Sequence, residues 1–318
     1  MQTFFSHGKL LITGEYVVLD GALSLAIPTK YGQRMEVEFR ESDTNNTLTW
    51  YSIDSDGETW YQEEFLIEES HTEHFDPAPY RLHRSVRLNE MELCNINSVS
   101  DSLVKILNKS CEGNPWFLEG GSYTVRTYLD FPNNWGLGSS STLICNIAKW
   151  AEVDAFELSE ASFGGSGYDI AVGMLGGDIL YRSPEMWEGY VYNPAYRGNL
   201  YFVHLNQKQN SREGIATYRS KPVNKKVVEQ VSDLTENLIK CTDFDGFQQL
   251  ITEHEALIAS VIEMPTVKEK HFSDYPFAIK SLGAWGGDFI LACGDKNTPA
   301  YFKDKGYDTV LAYSELIK

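Results

Sequence analysis

A chain of 318 residues is long enough for two domains of ordinary size, each with its own core. Its composition, 42% hydrophobic, 13% aromatic and 23% charged, is that of a globular protein. A net charge of −18 argues against general nucleic-acid binding and against anionic membrane surfaces, and leaves room only for a local basic pocket that takes a small anion.

Met1 to Lys30 lacks the basic-then-apolar pattern of a signal peptide, and no apolar run approaches the roughly 18–20 residues of a membrane span. Residues 8–40 alternate short apolar runs with glycine and proline: Leu10 to Ile12, Tyr16 to Leu19, Leu25 to Ile27, then Met35, Val37 and Phe39. The pattern predicts strands joined by turns at Gly14, Asp20-Gly21 and Pro28. Residues 47–53 and 59–67 flank Asp56-Gly57 and predict a hairpin. Helical spacing through Leu103, Ile106 and Leu107 predicts a helix over 100–108, capped by Ser100 or Asp101. Residues 123–131 alternate as a strand, and a helix is expected from about Ser139 to Trp150. A second glycine-rich stretch, 164–177, precedes a strand at Ile179 to Tyr181.

Two long amphipathic helices follow, at about 224–240 and 244–263, with strands at 200–205, 288–292 and 309–313. Pro184, Gly189, Pro194 and Gly198 mark a boundary that divides the chain into 1–190 and 191–318. The fold class is α+β in two parts, without repeats or low-complexity tracts. Cys94, Cys111, Cys145, Cys241 and Cys293 are odd in number and form no Cys-x-x-Cys pair. They read as buried thiols of a reducing compartment, so a cytoplasmic location is expected.

Three glycine-rich stretches concentrate the chemistry. In Phe131-Pro-Asn-Asn-Trp-Gly-Leu-Gly-Ser-Ser-Ser-Thr142, Gly136 and Gly138 let backbone N–H groups close on an anion, and the following helix start favours phosphate. Ser139, Ser140 and Ser141 add hydroxyls for a phosphate or a metal ion. The alternative is a plain strand-to-helix turn with a serine cap. The chain has neither Gly-x-x-x-x-Gly-Lys-[Ser/Thr] nor Gly-x-Gly-x-x-Gly, so it lacks the P-loop and dinucleotide signatures. In Gly164-Gly-Ser-Gly-Tyr-Asp-Ile-Ala171, Asp169 is placed to take a proton or hold a metal, or else to cap a turn. The third stretch is Ser281-Leu-Gly-Ala-Trp-Gly-Gly-Asp288.

With Gly8-Lys-Leu-Leu-Ile-Thr-Gly-Glu-Tyr16, these motifs resemble, in order, the signatures of the GHMP kinases: galactokinase, homoserine kinase, mevalonate kinase and phosphomevalonate kinase. Pro132-x-x-x-Gly-Leu-Gly-Ser-Ser140 is the specific part. The resemblance implies a left-handed βαβ N-terminal domain that binds ATP and a ferredoxin-like C-terminal domain. It places the ATP phosphates on Pro132 and Gly136, Leu137, Gly138, Ser139, Ser140 and Ser141, with Ser140 on Mg²⁺. Asp169 becomes the catalytic carboxylate, and Lys9 lies near the transferred phosphate. Glu15, Tyr16, Gly167, Tyr168, Gly283 and Gly286 fall beside the acceptor.

The chain departs from the pattern at Trp135, where relatives have a small residue, at Trp285, where they have glycine, and at His7, which replaces a proline. The two indoles are expected to approach each other and narrow the mouth of the site. The acidic Mg²⁺ ligand upstream of the aspartate is open among Glu152, Glu157 and Glu160. Gly14-Glu-Tyr16 looks like bacterial phosphomevalonate kinases, whereas mevalonate and galactose kinases favour Gly-Glu-His. A phosphorylated acceptor needs further cations, for which Arg81, Arg84, Arg87, Lys208 and Arg212 are candidates. The arginines and His83 also fit a solvated face, and His71-Thr-Glu-His74 fits a surface loop. The implied activity is ATP- and Mg²⁺-dependent phosphorylation of mevalonate or 5-phosphomevalonate, with a small-molecule acceptor as partner and neither nucleic acid nor membrane. A silent metabolite sensor, a sugar kinase and a mevalonate diphosphate decarboxylase are the alternatives, and a monomer or a homodimer fits equally.

Overall fold

The computed structural model describes residues 1–41, 46–69, 80–84, 93–183, 186–207, 215–216, 218–220, 222–283, 285 and 287–318, with backbone alone at 84 and 93–98. They divide into two compact units: 1–6, 31–133 and 139–165 in the first, and 7–30, 134–138 and 166–318 in the second. Each unit is assembled from separate stretches of chain, so the linear division at 190/191 runs across the second.

In the first unit the long strand β2 (Ser24–Glu41) contributes residues 31–41 to a mixed sheet. With β3 (Thr47–Ile53), β4 (Thr59–Glu69), β5 (Tyr80–Arg84) and β6 (Gly121–Leu129), the order is β5-β4-β3-β6-β2. The expected hairpin is present: β3 pairs antiparallel with β4, and Asp54 accepts the N–H groups of Asp56 and Glu58 at 3.0 Å each. Alternation in β3 buries Leu48, Trp50 and Ser52. The β3–β6 pair is parallel, and its crossover carries α1 (Leu93–Gly113). Helix α1 packs against α2 (Ser139–Ala151) and α3 (Ala155–Ser162). A buried amide fixes the start of the chain here: Asn146 accepts from the Ser6 hydroxyl at 2.8 Å and donates to the Gln33 carbonyl at 2.9 Å.

In the second unit the first residues of β2 pair with β7 (Ile179–Arg182), which pairs with β8 (Met186–Gly189). Helix α4 spans Tyr168–Leu175. The later chain runs β9 (Leu200–His204), α5 (Lys225–Lys240), α6 (Phe244–Ile262), α7 (Val267–His271), β10 (Ile279–Ser281), β11 (Phe289–Cys293), α8 (Thr298–Asp304), β12 (Val310–Ala312) and α9 (Tyr313–Leu316). The four strands form an antiparallel sheet in the order β10-β11-β9-β12. That order, with helices after the first and third strands, is the ferredoxin-like β-α-β-β-α-β arrangement. The fold is therefore α+β, with a mixed sheet and a smaller antiparallel one. No helix among the described residues is long and apolar enough to cross a membrane.

Three local expectations are corrected. Residues 16–19 are not a strand: Val17–Asp20 is a 3-10 turn. Gly14 (φ 95°) and Tyr16 (φ 62°) swing the chain round, Val18 N–H bonds the Gly14 carbonyl at 2.8 Å, and Val17 and Val18 are both buried, which a one-sided strand forbids. Pro28 does not end a strand, because β2 runs through it. A proline removes only the donor, and the Pro28 carbonyl still accepts Lys318 N–H at 3.3 Å. The third concerns α1, which begins at Leu93 and not at Ser100; Ser100 lies inside it, fully buried, and accepts from the Tyr61 hydroxyl at 3.1 Å.

Candidate active site

The candidate site lies in the second unit and starts from β1 (Gln2–Leu11). Gly8 lets this strand lie against the loop 134–138: a Cβ there would stand 2.7 Å from Thr29 Oγ1 and 3.0 Å from the Leu137 carbonyl. The next residue uses that proximity twice. Lys9 N–H donates to the Leu137 carbonyl at 3.0 Å, and its Nζ donates to the Gly136 carbonyl at 3.2 Å. Gly136 itself has φ 65°, and a Cβ on it would collide with the Asp288 carboxylate. Gly136→Ala is therefore expected to lower stability by roughly 2–4 kcal/mol, from left-handed strain plus the clash. Chemical denaturation measures it, and an unchanged midpoint contradicts it.

A cleft opens beside this contact, lined by Lys9, Leu10, Leu11, Trp135, Gly136, Leu282, Gly283, Asp288 and Phe289. Trp135 stands edge-on to Phe289 at 5.4 Å between centroids, with the His204 ring at 6.4 Å. His204 Nε2 bonds the Asn134 carbonyl at 3.1 Å and so ties the loop to β9.

Helix α4 supplies Tyr168 and Asp169 in its first turn. Gly167 caps it in the left-handed conformation, and the Tyr181 hydroxyl donates to the Ser166 carbonyl. The Lys9 ammonium lies 5.6 Å from the Tyr168 ring centroid. Asp169 Oδ1 accepts Ile170 N–H at 3.1 Å. Burial acts to lower the Lys9 pKa, but its neighbours Tyr168, Asp169 and Asp288 together outweigh it, so the amine is held above the ordinary lysine value and is charged at neutral pH. Burial pushes the Tyr168 phenol up, against the pull of Lys9, and keeps it a neutral hydroxyl.

Glu15 and Tyr16 lie deeper. Glu15 is 1% exposed and accepts from Lys280, which also donates to the Ser281 carbonyl at 2.8 Å. His254 Nε2 accepts Gly14 N–H at 2.9 Å, which assigns the ring proton to Nδ1, and it stands 3.7 Å from Glu15. Burial first, then the Lys280 charge, holds His254 well below the usual histidine pKa, so the ring is neutral. Among the described residues, Glu15 Oε2 and His254 Nδ1 have no hydrogen-bond partner. The Tyr16 hydroxyl accepts Trp285 N–H at 3.1 Å, within a cluster that includes Val17, Val231 and Ile258. Trp285, 2% exposed, belongs to this core, whereas Trp135 lines the cleft.

Glu255 completes the buried group by accepting Ser281 N–H at 3.0 Å and the Ser281 hydroxyl at 2.8 Å. Burial pushes its carboxyl up to about 7, against the opposing pull of Lys280 and the Ser281 bonds. A carboxyl raised in the folded state stays protonated where the unfolded chain has ionised. Its contribution is whole below about pH 4.5 and is lost as pH rises toward 7. Glu255→Gln is expected to flatten the stability profile over that window, read by denaturant titrations from pH 4.5 to 8. A parallel profile in both proteins contradicts this.

The structure thus brings Lys9, Gly136 and Gly283 to one cleft, with Tyr168 and Asp169 close to the lysine. Leu137 is fully buried and offers only its backbone. Pro132 is half-buried, and Ser139, Ser140 and Ser141 form the first turn of α2 in the first unit, with Ser140 exposed. Gly286, Arg87, Lys208, Arg212, His71 and His74 lie outside the described residues, as does the side chain of Arg84; Arg81 is exposed on β5. Glu152, Glu157 and Glu160 are exposed, and no group of three or more His, Cys, Asp or Glu suited to a metal occurs among the described residues.

Asp288 was not singled out by sequence reasoning, although an acidic residue closing a glycine pair before a strand was its signal. Lys280, His254 and Glu255 carried none, since nothing local marks a charged residue as buried. The glycine loop where a Cβ has no room and the charged Lys9 suit a polyphosphate. The oxygens of Asp169 and Asp288 are of the hard type that Mg²⁺ prefers.

No protein-family model matches the chain, and no curated protein matches it in sequence. Solved structures do match in fold. The mevalonate kinase of Methanococcus jannaschii aligns over 98% of this chain and 96% of its own, with a TM-score of 0.65 and 13% identity. The Streptococcus pneumoniae phosphomevalonate kinase, solved with phosphomevalonate and AMPPNP, aligns over 96% of both chains at a TM-score of 0.65 and 15% identity. The Lactococcus lactis galactokinase with galactose covers 97% of this chain and 92% of its own, at 0.62 and 13%.

Proposed function

We propose that this chain, which has the fold of the GHMP kinases, is an ATP- and Mg²⁺-dependent kinase of a small molecule, acting on mevalonate or 5-phosphomevalonate. The observation that carries the reading is the Lys9 ammonium bonded to the Gly136 carbonyl of a glycine loop, with Tyr168 and Asp169 beside it. In this reading residues 1–190 form the nucleotide-binding domain and 191–318 the C-terminal domain. The cysteine pattern fits the cytoplasm.

The loop 136–138 and the hydroxyls of Ser139 to Ser141 hold the phosphates, with Ser140 and an acidic side chain toward the metal. Bound ATP with Mg²⁺ supplies the transferable phosphoryl group and part of the counter-charge. Lys9 neutralises charge on the transferred group, and its bond to Gly136 fixes its direction. Asp169 accepts the proton of the acceptor hydroxyl as that oxygen bonds to the transferred phosphorus and the bond from that phosphorus to the ADP oxygen breaks, with ADP as the leaving group. Gly283 and the Tyr168 hydroxyl line the acceptor's approach. Glu15 and Tyr16 act behind the surface, by setting the conformation of the 14–20 turn.

The test is Mg²⁺-dependent ADP release with mevalonate, 5-phosphomevalonate, homoserine and galactose. Turnover with one of the two mevalonate compounds is expected, at about 1–100 s⁻¹ as is usual for kinases. Turnover with galactose alone would move the assignment to the sugar kinases. Silence across the panel in protein that still binds ATP favours a metabolite sensor.

A further inference from the structure

We propose that Asp288 makes the cleft select a polyphosphate complexed with a divalent cation over the same polyphosphate free of metal. This rests on the reading of the cleft as a nucleotide site and adds to it a specificity residue.

Asp288 closes the turn after Gly283 and directly precedes β11, where it is 9% exposed. Its φ of 50° is a conformation that Asp, Asn and Gly adopt far more readily than other residues. From there its carboxylate packs onto Gly136, on the side where any Cβ would meet Asp288 Oδ2 and Cγ. The missing side chain at 136 therefore does two things: it bares the loop's backbone and it admits a carboxylate to it. The same charge reaches the Lys9 ammonium, which also feels Asp169. An anion on this loop meets the Lys9 ammonium on one side and the Asp288 carboxylate on the other.

A metal-free triphosphate brings further negative charge beside a largely buried carboxylate, where water screens poorly. A metal-complexed one brings a hard cation that carboxylate oxygens favour. One residue thus repels the first form and attracts the second, and discrimination by a repulsive element needs no contact with base or sugar.

The experiment is calorimetric titration of the full chain with ATP, once in excess EDTA and once in excess Mg²⁺, for wild type, Asp288→Asn and Asp288→Gly. Both replacements suit φ 50°, so loss of the turn does not confuse the result, and thermal unfolding checks each. The ratio of the metal-free to the Mg²⁺ dissociation constant is expected to fall by about tenfold in both variants, equivalent to removing one unfavourable charge contact. A ratio unchanged to within about twofold overturns the inference and leaves the nucleotide reading in place. Equal weakening of both forms, the mark of a purely structural residue, overturns it as well. Wild type that binds neither form sinks the nucleotide reading itself, and this inference with it.

Discussion

Asp169→Asn is expected to lower kcat by about 10²–10⁴-fold, the usual range for a lost general base, with nucleotide affinity and thermal unfolding close to wild type. The substitution keeps size and shape, and an amide oxygen still accepts the Ile170 N–H bond that the carboxylate accepts at 3.1 Å. What it removes is the capacity to take a proton. It also removes one of the charges that keep Lys9 protonated, but the Asp288 carboxylate still acts on that amine. An intact Kd for ATP with collapsed turnover therefore separates chemistry from binding. If Asp169→Asn turned over at the wild-type rate, the proton acceptor would have to be sought elsewhere in the cleft.

Lys280→Met is expected to destabilise the fold by about 3–5 kcal/mol, the range for removing one partner of a buried ion pair. Lys280 and Glu15 are both essentially inaccessible, at 0% and 1% exposure, and the lysine is also drawn toward Glu255. Without the ammonium, Glu15 is left as a buried carboxyl 3.7 Å from a neutral histidine. Burial already raises the Glu15 pKa against the pull of Lys280, and losing the lysine raises it further. The damage should be least at acid pH, where Glu15 is uncharged, and should grow as pH rises. Denaturant titrations at pH 5 and pH 8 read this directly. Adding Glu15→Leu should restore most of the loss, because replacing both ions by apolar groups is often neutral. Two independent, additive losses would show that the pair does not act as a unit.

Local patterns carried much of the fold. The hairpin of β3 and β4, the helices α2, α5 and α6 and the strands β9, β11 and β12 lie where the local pattern put them; β3 alternates buried and half-buried residues, whereas all five residues of β11 are buried. Short elements escaped. Helices α3, α4, α7 and α8 are five to eight residues long, too brief for a 3.6-residue period to stand out. Helix α4 was hidden besides by the glycines before it, so the local alternative for Asp169 was a turn or helix-cap residue, and it sits in a first helical turn.

The sequence by itself determined that the chain is α+β and that Gly136, Gly138 and Asp169 stand in glycine-rich stretches suited to an anion and to proton transfer. These are properties of residue type and spacing, whereas Lys9 was marked only through the resemblance to the GHMP kinases. Only the tertiary structure decided that Glu15, Lys280, His254 and Glu255, drawn from residues 15 to 280, share one buried group, and that Trp285 is core and Asp288 a wall of the cleft. A side chain's burial depends on which distant strand or helix covers it, and nothing in the local pattern at 280 or 288 encodes that neighbour.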